Sequence, residues 1–132
     1  MKPNIYLIII SLNVILCTNL VAQSDVMGNV RAALKAGSSK ELTKYFNEMV
    51  ELNLNGDKSS YSKTQAEFVL KDFFKSHPPA DFQYIHQGAS KGNLLKYAIG
   101  KYTYSSGSFR VLILFKNSEG NYYADSIDFT KE

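Results

Sequence analysis

Residues 94–116 read LLKYAIGKYTYSSGSFRVLILFK, and this stretch decides the fold. Apolar and polar side chains alternate on both sides of the SSGS segment at 105–108, which is the pattern of two β-strands joined by a two-residue turn. The hairpin predicts an antiparallel sheet in the C-terminal half of the chain. Two similar runs extend it, so the predicted strands cover residues 81–88, 94–104, 109–116 and 122–129.

The loops between these strands set the predicted register. Residues 89–93 and 117–121 share the order Ser, charged residue, Gly, Asn, which suits a type I turn followed by a left-handed glycine. We therefore expect Ala89 opposite Asn93, Tyr104 opposite Phe109, and Asn117 opposite Asn121. Because side chains alternate along a strand, this register sorts the residues by face. The inner face is predicted to carry Phe82, Tyr84, His86, Ala98, Gly100, Tyr102, Tyr104, Phe109, Val111, Ile113, Phe115, Tyr123, Asp125, Ile127 and Phe129, and the outer face Tyr97, Ile99, Lys101, Arg110, Leu112, Leu114 and Tyr122.

The segment before the sheet is predicted to begin with two helices. Apolar residues recur at helical spacing over 26–34, and Gly37 follows as a helix stop. Ser38 and Glu41 have the spacing of a capping box, and the apolar residues of 42–49 continue at intervals of three and four. A second helix is therefore expected to reach Met49.

A strand, a turn and a third helix are predicted to follow. Residues 50–54 alternate with period two before Asn55-Gly56, which indicates a strand and a tight turn. Ser62 and Gln65 repeat the capping-box spacing, and the apolar stripe over 66–74 predicts a helix that ends before Pro78. The fold class is thus α+β, with N-terminal helices packed on a strongly curved antiparallel sheet.

The first 22 residues are predicted to be a cleavable secretory signal. Lys2 gives a positive start, and the apolar run of about a dozen residues that follows is too short for a membrane anchor. Cleavage after Ala22 would leave a single domain over residues 23–132, exported to the periplasm or the cell exterior. The alternative is lipoprotein processing at Cys17, which would tether the domain to a membrane, although Leu16 is larger than the residue such processing prefers.

Composition excludes several classes of function. Cys17 is the only cysteine, so a chain cleaved after Ala22 has neither a disulfide nor a thiol nucleophile. The formal charge is only +3 and no basic stripe emerges, so no nucleic-acid partner is expected. His77 and His86 are the only histidines, and they lack the close spacing of zinc ligands. Neither a metal nor a cofactor is predicted.

The candidate ligand pocket is predicted on the inner face and consists of Tyr84, His86, Tyr102 and Asp125. An inward His86 would exchange protons in the pocket, or its ring would be satisfied by a backbone carbonyl or a tyrosine hydroxyl. An inward Asp125 would be desolvated and would bind a polar ligand group. A one-residue slip of the last hairpin would instead turn Asp125 to solvent.

Two further features bear on partners. The tyrosines, nine in the chain, would suit a small apolar or aromatic ligand, although sheet packing also accounts for them. The outer face is too apolar for a fully wet surface, and a homodimer contact is the natural way to cover it. Arg110 on that face would bind an acidic partner, pair across strands or stay solvated.

The order of helices and strands resembles the cone-shaped fold of nuclear transport factor two and of ketosteroid isomerase. More specifically, HQGAS at 86–90, YAIG at 97–100, FRV at 109–111 and FTKE at 129–132 resemble a family of uncharacterised secreted bacterial proteins, the domain of unknown function 4783. That resemblance carries no assigned chemistry. It implies a non-enzymatic binding or interaction domain of the cell envelope.

The enzymes of this fold suggest an alternative. Ketosteroid isomerase places an inward carboxylate and a tyrosine in such a cup, so the resemblance admits an isomerase or dehydratase that uses Asp125 as base with Tyr102 or Tyr84. No nucleophile elbow or phosphate-binding loop appears in the sequence to indicate another chemistry.

Overall fold

Residues 25–132 are described by a computed structural model, in which three α-helices and one 3-10 turn accompany a six-stranded sheet. The helices are α1 (Val26–Ala36), α2 (Ser39–Thr43) and α3 (Lys63–Ser76), and the strands are β1 (Phe46–Leu54), β2 (Asp57–Ser62), β3 (Pro79–Ala89), β4 (Leu95–Tyr104), β5 (Gly107–Ser118) and β6 (Asn121–Lys131). The predicted α+β class is confirmed. The predicted signal over 1–22 and the lipoprotein alternative at Cys17 lie outside the described residues.

The first and third predicted helices are confirmed together with their end signals. The Asp25 carboxylate accepts a hydrogen bond from the Met27 amide (3.2 Å), and Gly37 ends α1 in the left-handed conformation with φ 66°. Ser62 and Gln65 form the reciprocal capping box at the start of α3. The apolar stripes that these caps delimit lie buried against the sheet.

The second predicted helix is wrong beyond Thr43. Its apolar residues have helical spacing, yet α2 stops after five residues and β1 begins at Phe46. The Ala124 amide donates to the Tyr45 carbonyl (2.7 Å), so pairing with β6 holds the chain as a strand from this point. Long-range pairing overrides the local pattern, and Met49 is left exposed rather than buried.

The sheet has the order β2-β1-β6-β5-β4-β3. Neighbouring strands are antiparallel except β1 and β6, which run parallel, so the prediction of a wholly antiparallel sheet is wrong at this pair. The tight turn predicted at Asn55-Gly56 is confirmed, with φ of 54° and 97°, and it joins β1 to β2. The β2 strand was missed because its exposed sequence, DKSSYS, has no apolar alternation.

The loop between β3 and β4 is longer than predicted. Ala89 pairs with Lys96 rather than with Asn93. Ser90 and Leu95 close the loop, because the Ser90 amide donates to the Leu95 carbonyl (2.9 Å) and the Leu95 amide donates to the Ser90 hydroxyl (3.0 Å). At the next hairpin the predicted two-residue turn is found, with Tyr104 opposite Gly107 instead of Phe109. That shift of two residues leaves the faces of β4 and β5 as predicted.

The core lies between the helices and the inner face of the sheet. It is rich in aromatic rings, and those of Phe73, Tyr102, Phe109 and Phe129 contact one another with centroids 4.7 to 6.3 Å apart. Other fully buried side chains include Leu34, Leu42, Phe46, Leu52, Leu70, Phe82, Ile113, Phe115 and Ile127. These groups fill the space under the middle of the sheet.

Candidate ligand-binding cleft

Tyr84 and Tyr102 lie on the inner face, as predicted. The Tyr84 hydroxyl donates to the Met27 carbonyl (2.8 Å), and the Tyr102 hydroxyl donates to the His77 carbonyl. Burial raises the pKa of both phenols above the ordinary value. Each hydroxyl therefore ties a strand to a helix and is already engaged within the fold.

His86 does not lie on the inner face, and this prediction is wrong. The β3–β4 register shifts between Tyr84 and His86, so Ile85 is an extra residue in a bulge and His86 pairs with Ile99 on the outer face. There the His86 ring is exposed, and its Nε2 lies 2.9 Å from the Tyr97 hydroxyl. The alternative that a tyrosine hydroxyl satisfies this ring is therefore found, although at the surface rather than in the core.

The predicted position of Asp125 on the inner face is also wrong. Two features of the last hairpin, a shorter turn and a bulge, account for this. The last hairpin turns on Glu119-Gly120, with φ of 54° and 87°, so Ser118 pairs with Asn121 and the register differs by one residue from the predicted one. Ala124 is buried in consequence, and Asp125 is the extra residue of a bulge. This bulge shifts the register by one more residue, which restores Ile127 to the inner face.

The same slip moves the residues on either side of Ala124. Tyr123 pairs with Lys116 on the outer face, whereas Tyr122 turns inward and packs against the core, so the predicted faces of both tyrosines are exchanged. The Asp125 carboxylate accepts a hydrogen bond from the Asn47 amide group (3.3 Å) and forms an ion pair with Lys116 (3.3 Å). The one-residue slip that the sequence left open is therefore found, and it leaves Asp125 paired with Asn47 and Lys116 instead of facing the core.

The four predicted pocket residues consequently share no cavity. Tyr84 and Tyr102 are bonded to backbone carbonyls, His86 lies on the outer face and Asp125 lies at a bulge beside β1. The isomerase alternative requires Asp125 to face one of the two inner tyrosines. The structure does not bring these groups together.

Open space is found instead at the end of the fold where α1, β4 and β6 begin, which is called the wide end from here on. A cleft of about 470 Å³ lies between the start of α1, the segment after α2, and the first residues of β4 and β6. Its lining is polar and aromatic, and consists of Asp25, Val26, Asn29, Lys44, Tyr45, Lys96, Gly120, Asn121, Tyr122 and Tyr123. The cleft is formed where the aromatic filling of the core ends.

Lys96 and Tyr122 form one wall of this cleft. The Lys96 ammonium lies 4.3 Å from the centroid of the Tyr122 ring, and the Tyr122 hydroxyl donates to the Asn93 carbonyl (2.5 Å). The sequence indicated that Lys96 faces inward, because side chains two residues apart on a strand share a face and Lys96 lies two residues before Ala98. No signal indicated Tyr122, whose direction depends on the slip in the last hairpin.

Lys44 and Asp25 also line the cleft but have partners in the fold. The Lys44 ammonium donates to both carboxylate oxygens of Glu41 (3.0 and 2.9 Å), and this hydrogen bond raises the pKa of Lys44. Asp25 caps α1 through its bond from Met27. Glu41 thus balances the charge of Lys44, whereas Asp25 keeps its negative charge while it caps α1.

A second cavity, of about 620 Å³, borders Asp125. Here β1 advances from Phe46 to Glu51 while β6 advances only from Ala124 to Ser126, so the two strands separate. Side chains of Asn47, Glu48, Met49, Lys63 and Tyr123 surround the gap. The pairing of Asp125 with Asn47 bridges it.

Neither a metal cluster nor a membrane-spanning helix is found within residues 25–132. No group of three or more His, Cys, Asp or Glu side chains in this part of the chain is arranged to hold a metal ion. No helix within it combines the length and the apolar character that crossing a membrane requires.

The helices packed on a curved sheet with a cleft at one end define the class of the fold, which is nuclear transport factor two-like. A protein of unknown function from Shewanella baltica, described as ntf2-like, has this fold with a TM-score of 0.62 at 14% identity; the match covers 81% of this chain and 88% of that one. At this identity the likeness concerns the fold alone.

Closer relatives give the family. A DUF4783 family protein from Bacteroides uniformis matches with a TM-score of 0.77 at 30% identity, over 82% of this chain and 98% of that one. One from Bacteroides fragilis matches with a TM-score of 0.75 at 29% identity, over 83% and 100%. The family model "Domain of unknown function (DUF4783)" matches residues 27–130, and the chain belongs to this family. Comparison with curated proteins gives no match.

Proposed function

We propose that this chain is an exported, non-enzymatic domain of the cell envelope that binds a small, flat ligand in the cleft at the wide end of the cone. The observation that supports this proposal is that the interior of the fold is filled while the cleft is open. Aromatic side chains fill the interior under the sheet, whereas the wide end is open and is lined by Tyr45, Tyr122 and Tyr123. Small-molecule sites are concave and combine apolar or aromatic walls with a few polar groups.

The cleft suits a ring system. Tyr45 and Tyr122 are half-buried, and both pack against the core, so their rings have fixed positions. A planar ligand would stack on Tyr45 and lie beside Tyr122, whose ring face carries the Lys96 ammonium, while amide groups such as that of Asn121 are available at the rim. Rigid rings cost little conformational entropy when a ligand binds.

The ligand part of the proposal is tested by NMR. Neutral 2-naphthamide, titrated into the 15N-labelled domain, is expected to shift the amides of Tyr45, Lys96 and Tyr122 with one saturable curve. Tyr122→Ala should weaken this binding up to about tenfold, which is the contribution of one good aromatic contact. Tyr97→Ala, on the outer face of the sheet, is the matched control and should leave the curve unchanged. Shifts confined to the outer face, or no saturation, would contradict the proposal.

Export is supported by the sequence of residues 1–22, with Lys2 ahead of an apolar run. Expression of the full chain in a bacterial host should yield a periplasmic protein. Its mass should equal that of a chain that begins at Gln23. A mass that corresponds to diacylglycerol on Cys17 would replace this part of the proposal with a lipoprotein anchor.

We further propose a homodimer through the outer face of the sheet. Ile99, Leu112 and Leu114 form an apolar patch there, and Leu112 and Leu114 are 37% and 39% exposed. Arg110 lies beside it on β5 and lines a surface depression of about 320 Å³ together with Asp128. A second copy would cover the patch, because a twofold contact uses the same surface twice.

Sedimentation equilibrium tests the dimer. The wild-type domain should associate at micromolar concentration, and Leu114→Lys should make it monomeric. Leu94→Lys alters a leucine that is 67% exposed in the β3–β4 loop, away from the outer face, and should remain dimeric. A wild-type domain that stays monomeric at several hundred micromolar would refute the dimer.

A further inference from the structure

Lys96 occupies a position where the strand would ordinarily bury an apolar side chain. It pairs with Phe115, which is fully buried, and it precedes Ala98 on the same inner row of β4. Its stem is half-buried, and its ammonium reaches the cleft at the wide end. A lysine at such a position packs its stem along the sheet and carries its ammonium into the open space.

Within residues 25–132, the Lys96 ammonium is in contact with an aromatic ring and not with a carboxylate. Lys35, Lys44, Lys58 and Lys116 each lie within 4.0 Å of an aspartate or glutamate oxygen, whereas Lys96 forms no such pair in the described chain. Its contact is the face of Tyr122 at 4.3 Å. A cation held over a ring is oriented, but it is not neutralised.

The other charged side chains that line the cleft are engaged with groups of the fold. Lys44 is bonded to Glu41, and Asp25 accepts the Met27 amide at the cap of α1. Of the two lysines that line the cleft, Lys96 is therefore the one whose charge no carboxylate of residues 25–132 balances, while the Asp25 carboxylate is engaged at the cap of α1. An ammonium has three N–H donors, and the contact with Tyr122 leaves donors for an anion that enters the cleft.

We propose that the ligand of the cleft carries an anionic group, such as a carboxylate, that pairs with Lys96 while its ring stacks beside Tyr122. This inference rests on the proposed function, since it names the chemistry of the ligand for the same cleft. It explains why a lysine stands at an inner position of β4, a placement that sheet packing alone disfavours.

A matched pair of probes tests the inference. 2-Naphthoate and 2-naphthamide have the same ring system and differ in charge, so their dissociation constants from NMR titration isolate the charge effect. The wild type should bind naphthoate about fivefold more tightly, which is the size of a half-exposed ion pair. Lys96→Gln should abolish this preference, and Lys96→Arg should retain it.

Lys101→Gln is the control, because Lys101 is an exposed lysine on the opposite face of the same strand. It should keep the preference of the wild type. If both probes bind the cleft equally, or if Lys96→Gln weakens both alike, the anionic ligand is refuted while the binding cleft stands. If neither probe binds the cleft, the proposed function fails and the inference fails with it.

Discussion

Gly100 sits where the inner face of β4 comes against the ring of Phe82. A Cβ atom at position 100 would overlap that ring, and Phe82 is fully buried with no room to move. We expect Gly100→Ala to lower the free energy of unfolding by about 1–3 kcal/mol, the range for overpacking a core. Urea denaturation of the purified domain measures the change.

Gly28 supplies the control for that substitution. It lies in α1, and a Cβ atom there would meet nothing within 4 Å. Gly28→Ala should therefore raise the free energy of unfolding by about 0.5–1 kcal/mol, because alanine loses less backbone entropy in a helix. If the two substitutions changed the free energy of unfolding equally, the contact with Phe82 would not restrict the size of the side chain at position 100.

The buried phenols of Tyr84 and Tyr102 predict a loss of stability in alkali. Their pKa values in the folded state are raised above the ordinary value near 10, so their contribution is complete below pH 10 and is lost as the pH rises further. The loss should approach about 1.4 kcal/mol per pH unit for each phenol. Urea unfolding at pH 9, 10 and 11 measures it.

Tyr102→Phe should show a shallower decline over the same pH range, because one titrating group is removed. At pH 8 this variant should be less stable by about 1–2 kcal/mol, since the His77 carbonyl loses its donor. A decline as steep as that of the wild type would rule out Tyr102 as its source.

At the scale of the elements, caps were predictable from the sequence and bulges were not. Gly37 and the Ser62–Gln65 pair carry local signals that the structure reproduces, because a helix end depends on a few adjacent residues. The bulges at Ile85 and Asp125 have no such signature. Each depends on how two strands fit the helices and the neighbouring strands. The bulge at Ile85 reversed the predicted face of His86, and the slip of the last hairpin together with the bulge at Asp125 removed Asp125 from the inner face.

The cleft was not predicted either, because it also depends on how the strands pair. Its ring Tyr122 faces inward only because the last hairpin turns on Glu119 and Gly120, whereas the sequence favoured a longer loop. The parallel β1–β6 pair was equally hidden, since it joins residues about 75 positions apart. Local patterns identify strands, but they do not identify the partners of those strands.

The turn at Glu119 also yields a prediction. Glutamate at φ 54° is strained, whereas the equivalent position of the β1–β2 turn holds Asn55 at the same φ. Glu119→Asn should raise the free energy of unfolding by about 0.5–1 kcal/mol, and Glu119→Gln, which keeps the strained shape, should change it little. Thermal unfolding of the three proteins compares them, and equal midpoints would contradict the argument.

For the molecule as a whole, the order of the strands predicts a gradient of local stability. β5 lies between two long antiparallel partners and alternates buried with exposed residues, whereas β2 is a short edge strand with an exposed sequence. Amides of β5 such as Val111 and Ile113 should exchange with deuterium at least about a hundredfold more slowly than those paired in β2. Uniform exchange rates across the sheet would contradict this gradient.

The place of β6 in the sheet has a consequence for folding of the chain. Because β6 lies between β1 and β5, both of those strands present bare ladders of amide and carbonyl groups until residues 121–131 pair with them. A last strand from a neighbouring copy would satisfy the same ladders. Crowded folding chains are therefore at risk of exchanging this segment, and the risk ends only when the segment from Asn121 to Lys131 docks in its own molecule.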